Sequence, residues 1–136
     1  MDRAATNRRL VWILVLLAFV EGAWFAFDGS RALLTGDYVT PQSGEYAGQL
    51  GPWAALVTAV GMDPRSTLMK SIHVGLGLAW LAAGSGVALS RSWGWPAMFA
   101  SAIASLWYLP IGTLFGAVQM ILLFRPSVRE QFHSRT

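Results

Sequence analysis

The chain contains no cysteine, a single lysine (Lys70) and few charges of either sign. Without cysteine there are no disulfides, no thiolate metal sites and no thiol nucleophiles. Charged residues make up 12 % of the 136 positions, whereas an ordinary soluble domain carries about 25 %. The basic residues are dispersed over ends and turns: Arg3, Arg8 and Arg9, then Arg91, then Arg125, Arg129 and Arg135. Nucleic-acid binding calls for a clustered basic face, so that partner class is excluded.

Histidine is almost as scarce. His73 and His133 are the only two, and His133 falls in the terminal tail, so one chain cannot offer two axial ligands to a haem. Zinc needs three or four ligands. Asp28, Asp37, Glu45 and Asp63 follow no cation-loop spacing, and the chain has no glycine-rich phosphate loop. Ser85 in "GSG" stands twelve residues from His73, roughly 18 Å along one helix, too far for a nucleophile and its base. The expectation is a non-enzymatic protein with no metal and no cofactor.

What the chain does have is hydrophobic sequence, 54 % of all residues. A helix crossing about 30 Å of hydrocarbon needs roughly 20 apolar residues. Residues 10–27 meet this, with Trp12 at one boundary and Trp24, Phe25 and Phe27 near the other. No A-x-A-like site follows, since Glu21 stands two before Ala23 and Trp24 two before Ala26, so the segment reads as an uncleaved signal anchor. Residues 28–66 are rich in Gly, Pro, Asp and Ser and read as a long outer loop. Within it "PWAALVTAVG" is a short interfacial helix, opened by Pro52 and stopped by Gly61.

Asp63 and Pro64 introduce a second span, 67–89. "SWGWP" is a turn, and the remaining apolar run, broken at Pro110 and Gly112, divides into spans 94–109 and 111–126. Four spans with a cytoplasmic N-terminus put seven of the ten basic residues inside and three (Arg31, Arg65, Lys70) outside, whereas three spans would turn the terminal arginines outward, against the positive-inside tendency. The expected fold is all-α: a polytopic membrane protein of the bacterial inner membrane, with four transmembrane helices and both termini cytoplasmic.

Helices in lipid associate through close packing and polar contacts. Gly112 and Gly116 form a GxxxG. Ala97, Ser101 and Ser105 line one face of the third span, and the pairs Ser71/Gly75 and Ala82/Gly86 do so in the second. Intramolecular packing and a homodimer face both use such residues.

Glu21 interrupts the most apolar run, "LVWILVLLAFVEGAWF". A buried charge in a bilayer is costly, so a partner is expected. Depth counting places Glu21 roughly 9 Å below the outer boundary, His73 roughly 8 Å and Gln119 roughly 10 Å, with Lys70 one turn above His73. These residues should form one polar layer, either a satisfied network that fixes helix register or a proton or ligand site.

"YLPIGTLFGAVQMILLFRP" resembles the last helix of small four-helix bacterial membrane proteins of uncharacterised function, chiefly at Leu109, Pro110, Gly112, Thr113 and Gly116. That resemblance implies four spans and a bacterial membrane. Glu21 in the first helix is also similar to the carboxylate of the small multidrug resistance transporters, which would imply proton and cation binding in a dimer. Three functions follow as expectations. The first is association with a protein partner as accessory subunit or scaffold, through Tyr38, Tyr46 and Trp53 on the outer loop. The second is homodimeric proton-linked or cation transport through Glu21. The third is binding of a lipid or hydrophobic small molecule.

Overall fold

The computed structural model describes residues 3–133, with the backbone alone described at Arg3 and His133. The described regular structure is helical: Arg3–Thr35 (α1), Trp53–Ala59 (α2), Thr67–Ala88 (α3), Gly94–Ala104 (α4), Ile111–Leu123 (α5) and Pro126–His133 (α6). Helices α1 and α3 are each long and apolar enough to cross a membrane, and α5 with α6 passes that test only as a pair bent by 74°.

Several boundaries differ from those the sequence led us to expect. The first helix does not end near Phe27 but runs on to Thr35. "DGSR" looks like turn punctuation, yet its Asp28 and Gly29 are buried parts of a continuing helix face. That face is Leu14, Ala18, Glu21, Phe25, Asp28 and Ala32, all buried. They alternate at spacings of four and three, the stripe along which two helices mesh. Gly36 then ends the helix with φ +100°, its N–H closing on the Ala32 carbonyl at 3.0 Å, in the left-handed conformation glycine adopts freely.

The α1 seam packs antiparallel on α3, and it is set by glycines. A Cβ on Gly22 would stand 2.9 Å from the Gly77 carbonyl oxygen, and one on Gly77 would meet the Ala26 backbone nitrogen. A Cβ on Gly29 would lie 2.8 Å from that of His73. The backbones therefore touch, as small residues allow in lipid. Of the small-residue pairs expected on α3, Gly86 is buried against Trp93, whereas Ser71 and Gly75 face outward.

Helices α4 and α5 are shorter than the expected spans, 11 and 13 residues, or about 16 and 20 Å. They form an antiparallel hairpin. Ser105 ends α4 by sharing its hydroxyl between the Ala102 and Gly112 carbonyls, both at 2.9 Å, and the Trp95 indole donates to the Leu123 carbonyl at 3.1 Å across the open end. Gly112 and Gly116 pack within this hairpin, against the Ser105 carbonyl and hydroxyl and the Ala102 carbonyl. Ser101 and Ser105 are buried there and Ala97 is half-buried.

The hairpin turns at Tyr108, level with Phe25 and His73, and α2 closes over it: Trp53 stacks on Tyr108 at 5.6 Å. Helix α2 stops at Gly61, φ +84°, where the Met62 N–H returns to the Val57 carbonyl. At the opposite end α6, absent from the sequence reading, lies across the bundle with Val128 and Phe132 buried. Ala4, Arg8, Val87, Ser90 and Gln131 surround one cleft there, so α1 begins where α3 ends. Arg135 lies outside the described residues.

Candidate functional site

Register between α1 and α3 sets the depth of every polar group. Gly22 faces Gly77 and Trp80, so Glu21 lies level with the middle of the 22-residue α3, not near one boundary. The depth count from Phe27 was too shallow because the helix continues for eight more residues.

The structure brings Glu21 and Gln119 together and leaves His73 apart. The Gln119 Nε2 donates to Glu21 Oε2 at 3.3 Å, and the Trp80 indole donates to Gln119 Oε1 at 3.3 Å. All three side chains are buried. This chain ties α1, α3 and α5 at one level. Trp80 was not anticipated as a member, although Trp N–H groups require a partner when buried, and Trp80 is seven residues beyond His73 on the same α3 face. Among the described residues Glu21 Oε1 has no hydrogen-bond partner.

His73 sits about 10 Å nearer the loop end, by seven residues of helical rise. Its Nδ1 donates to the Met69 carbonyl at 2.9 Å, which leaves Nε2 as the acceptor of a neutral ring. Nε2 has no partner among the described residues, because aromatic rings surround the imidazole. Tyr38, Trp53, Phe25, Trp107 and Tyr108 have centroids 4.8, 5.0, 5.3, 5.6 and 5.8 Å from the imidazole. Lys70 does not join the layer; its Nζ donates to the Gly36 carbonyl at 2.7 Å, pinning the end of α1.

The expected outer contact surface is also corrected. Tyr38 and Trp53 are 2 % and 4 % exposed and belong to the cage around His73, so neither can meet a partner. Aromatic residues in a polar loop look like boundary anchors, but here they are the means by which the loop is seated. Tyr46 alone of the three faces outward, at 64 %. Burial pushes the Tyr38 phenol upward from its ordinary value, aided by the neighbouring Asp28 and Asp37 carboxylates.

The loop is held at further points. Asp28 Oδ1 accepts the Val39 amide at 2.7 Å. Arg65 donates to Asp37 Oδ1 at 3.0 Å and to the Gly48 carbonyl at 2.8 Å, and Arg31 donates to the Asp37 carbonyl at 2.7 Å. Among the described residues no three His, Asp or Glu side chains gather as metal ligands.

Rings of Phe25, Tyr108, His73 and Trp53 pack between the Glu21 level and the loop, with Trp80 stacked on Phe25 from below. Glu21 lines a lateral groove of about 340 Å³ between α1 and α5. No family model matches the chain, and no curated protein or solved structure matches it either.

Proposed function

We propose that the chain is a non-enzymatic integral protein of the bacterial plasma membrane that works by association, as an accessory subunit or scaffold. In this reading it crosses four times, with α4 and α5 as short spans completed in depth by α2. Arg8, Arg9, Arg91, Arg125 and Arg129 share one end, which the positive-inside tendency assigns to the cytoplasm, and the loop 36–66 faces outward.

One observation carries the proposal. The loop is fixed from beneath by Tyr38, Trp53, Asp28, Arg65 and Lys70, yet it carries exposed apolar side chains. Tyr46 is 64 % exposed and Val60 72 %, with Val39 and Leu56 also outward. Ordering that is already complete lowers the entropic cost of binding, and exposed aromatic groups on such a support are characteristic of recognition surfaces. The transport reading draws less support, because the groove that Glu21 lines is apolar and aromatic rings pack between Glu21 and the loop.

The test is the mass of the species extracted from native membranes in a mild detergent. A complex with another membrane protein, lost in Tyr46→Ala combined with Val60→Ser, supports the proposal. A bare monomer, or a complex indifferent to both substitutions, overturns it.

A further inference from the structure

The groove beside Glu21 has features of a site for a membrane-borne ligand. Its walls are Val20 and Trp24 from α1 and Ile111 and Phe115 from α5. Val20, Trp24 and Ile111 are 51 %, 41 % and 51 % exposed, so the groove opens sideways toward whatever surrounds the bundle. Its volume, about 340 Å³, is within the range of small-molecule pockets. Tyr108 closes one end, its hydroxyl accepting from the Trp24 indole at 3.2 Å.

Glu21 also lines this groove, and it is 3 % exposed. Oε2 is taken by Gln119, whereas Oε1 is buried with no partner among the described residues. An unmet polar oxygen in an apolar setting is unfavourable, so whatever occupies the groove is favoured if it brings a hydrogen bond. Apart from Glu21 and the Tyr108–Trp24 pair, the surroundings are hydrocarbon.

We infer that the groove takes an uncharged amphiphile with a hydroxyl head, which hydrogen-bonds to the Glu21 carboxyl while its hydrocarbon chain lies along α1 and α5. Three considerations select that chemistry. A hydroxyl both donates and accepts, so it pairs with a carboxyl oxygen in either protonation form. Glu21 is level with the middle of α3, a depth at which phosphate or ammonium heads are heavily penalised. The apolar walls match a chain, not a second polar group. The inference rests on α1 crossing the membrane and is independent of any protein partner.

The test uses the full chain in phosphatidylcholine nanodiscs with two photoreactive probes: hexadecanol bearing a diazirine beside its hydroxyl, and the matched alkane that lacks the hydroxyl. The alcohol should label Val20, Trp24, Ile111 and Phe115, and the alkane should label them about tenfold less, the ratio expected of one hydrogen bond in an apolar setting. Val20→Trp fills the groove while leaving Glu21, Gln119 and Trp80 in the sequence, and should abolish that labelling. Ile111→Trp does the same from the other wall if the first variant fails to fold. Glu21→Leu should bring the alcohol-to-alkane ratio to one. Equal labelling by both probes in the wild-type chain, or labels spread evenly to outward positions such as Leu16 and Leu78, overturns the inference. Cross-links between copies through Val20 and Phe115 also overturn it, by making a second chain the occupant.

Discussion

Asp28 accepts the Val39 backbone amide at 2.7 Å, so a buried carboxyl on the α1 seam turns the chain back onto the helix it has just left. Asp28→Ala should release the start of the loop while α1 and α3 stay paired. Amide exchange at Val39 should accelerate about tenfold, as expected when one buried hydrogen bond is lost, with little change at Phe25 or Gly77.

The glycine contact between α1 and α3 gives a sharper expectation. A methyl group at Gly77 meets the Ala26 nitrogen and lies 2.7 Å from the Gly22 carbonyl oxygen, both backbone atoms that cannot rotate away. Gly77→Ala should cost about 1–3 kcal/mol, the usual range for overpacking. Gly75→Ala, where a Cβ meets nothing within 4 Å, should be neutral or stabilising, since alanine is the better helix former. Thermal unfolding of the two variants in one detergent compares them directly.

The Glu21–Gln119–Trp80 chain should behave as a unit. Gln119→Leu strands Glu21 Oε2 and the Trp80 N–H, at a cost of about 1–3 kcal/mol. Glu21→Leu strands only the Gln119 amide. The double variant should be less destabilised than the sum of the singles by about 1 kcal/mol or more, as for coupled partners. Additive losses in chemical unfolding would show that the three groups are held by packing instead.

Asp37 supplies the pH dependence. Burial works against its charge, but the Arg65 hydrogen bond, the Tyr38 amide and the Arg65 and Lys70 charges outweigh it, holding the carboxyl below its ordinary value of 3.8. A depressed folded-state value stabilises above the unfolded one and is lost as pH falls through the folded one. Loop stability should therefore be flat from neutrality to mild acid and drop only below about pH 4. The pair is more than a third exposed on both sides, so solvent screening limits it to a few tenths of a kcal/mol. In Asp37→Asn that acid step should disappear from the Trp53 fluorescence signal.

Ser90 occupies φ +53° at the end of α3, where the Arg91 N–H reaches back to the Gly86 carbonyl at 2.8 Å. Glycine adopts that conformation without steric cost. Ser90→Gly should stabilise by about 1 kcal/mol, read as a rise in melting temperature, and Ser90→Val should lower it.

Much of this fold is legible in the residues, unevenly. The two membrane-length helices follow from apolar length, and the stops at Gly61 and after Ala88 follow from local chemistry. The continuation of α1 was hidden because Asp28, Gly29 and Ser30 carry turn propensity, although the four-three alternation runs unbroken from Leu14 to Ala32. Tertiary pairing overrode local preference there. The same misplaced end shifted the depth scale, separating Glu21 from His73. Tyr38 and Trp53 were misread because an aromatic residue in a polar loop has the same composition whether it faces lipid heads or plugs a bundle. Helix α6 was missed, although Val128 and Phe132 stand four apart in an otherwise polar stretch.

The short hairpin has a consequence for how the molecule is made. Trp53 lies on Trp107 and Tyr108, so α4 and α5 complete their packing only against a lid encoded some fifty residues earlier. The lid is therefore synthesised before the hairpin that it covers, and neither completes its packing until residues 94–123 have been made. Moving the hairpin ahead of that segment by circular permutation would keep every residue and reverse the order in which the two are synthesised.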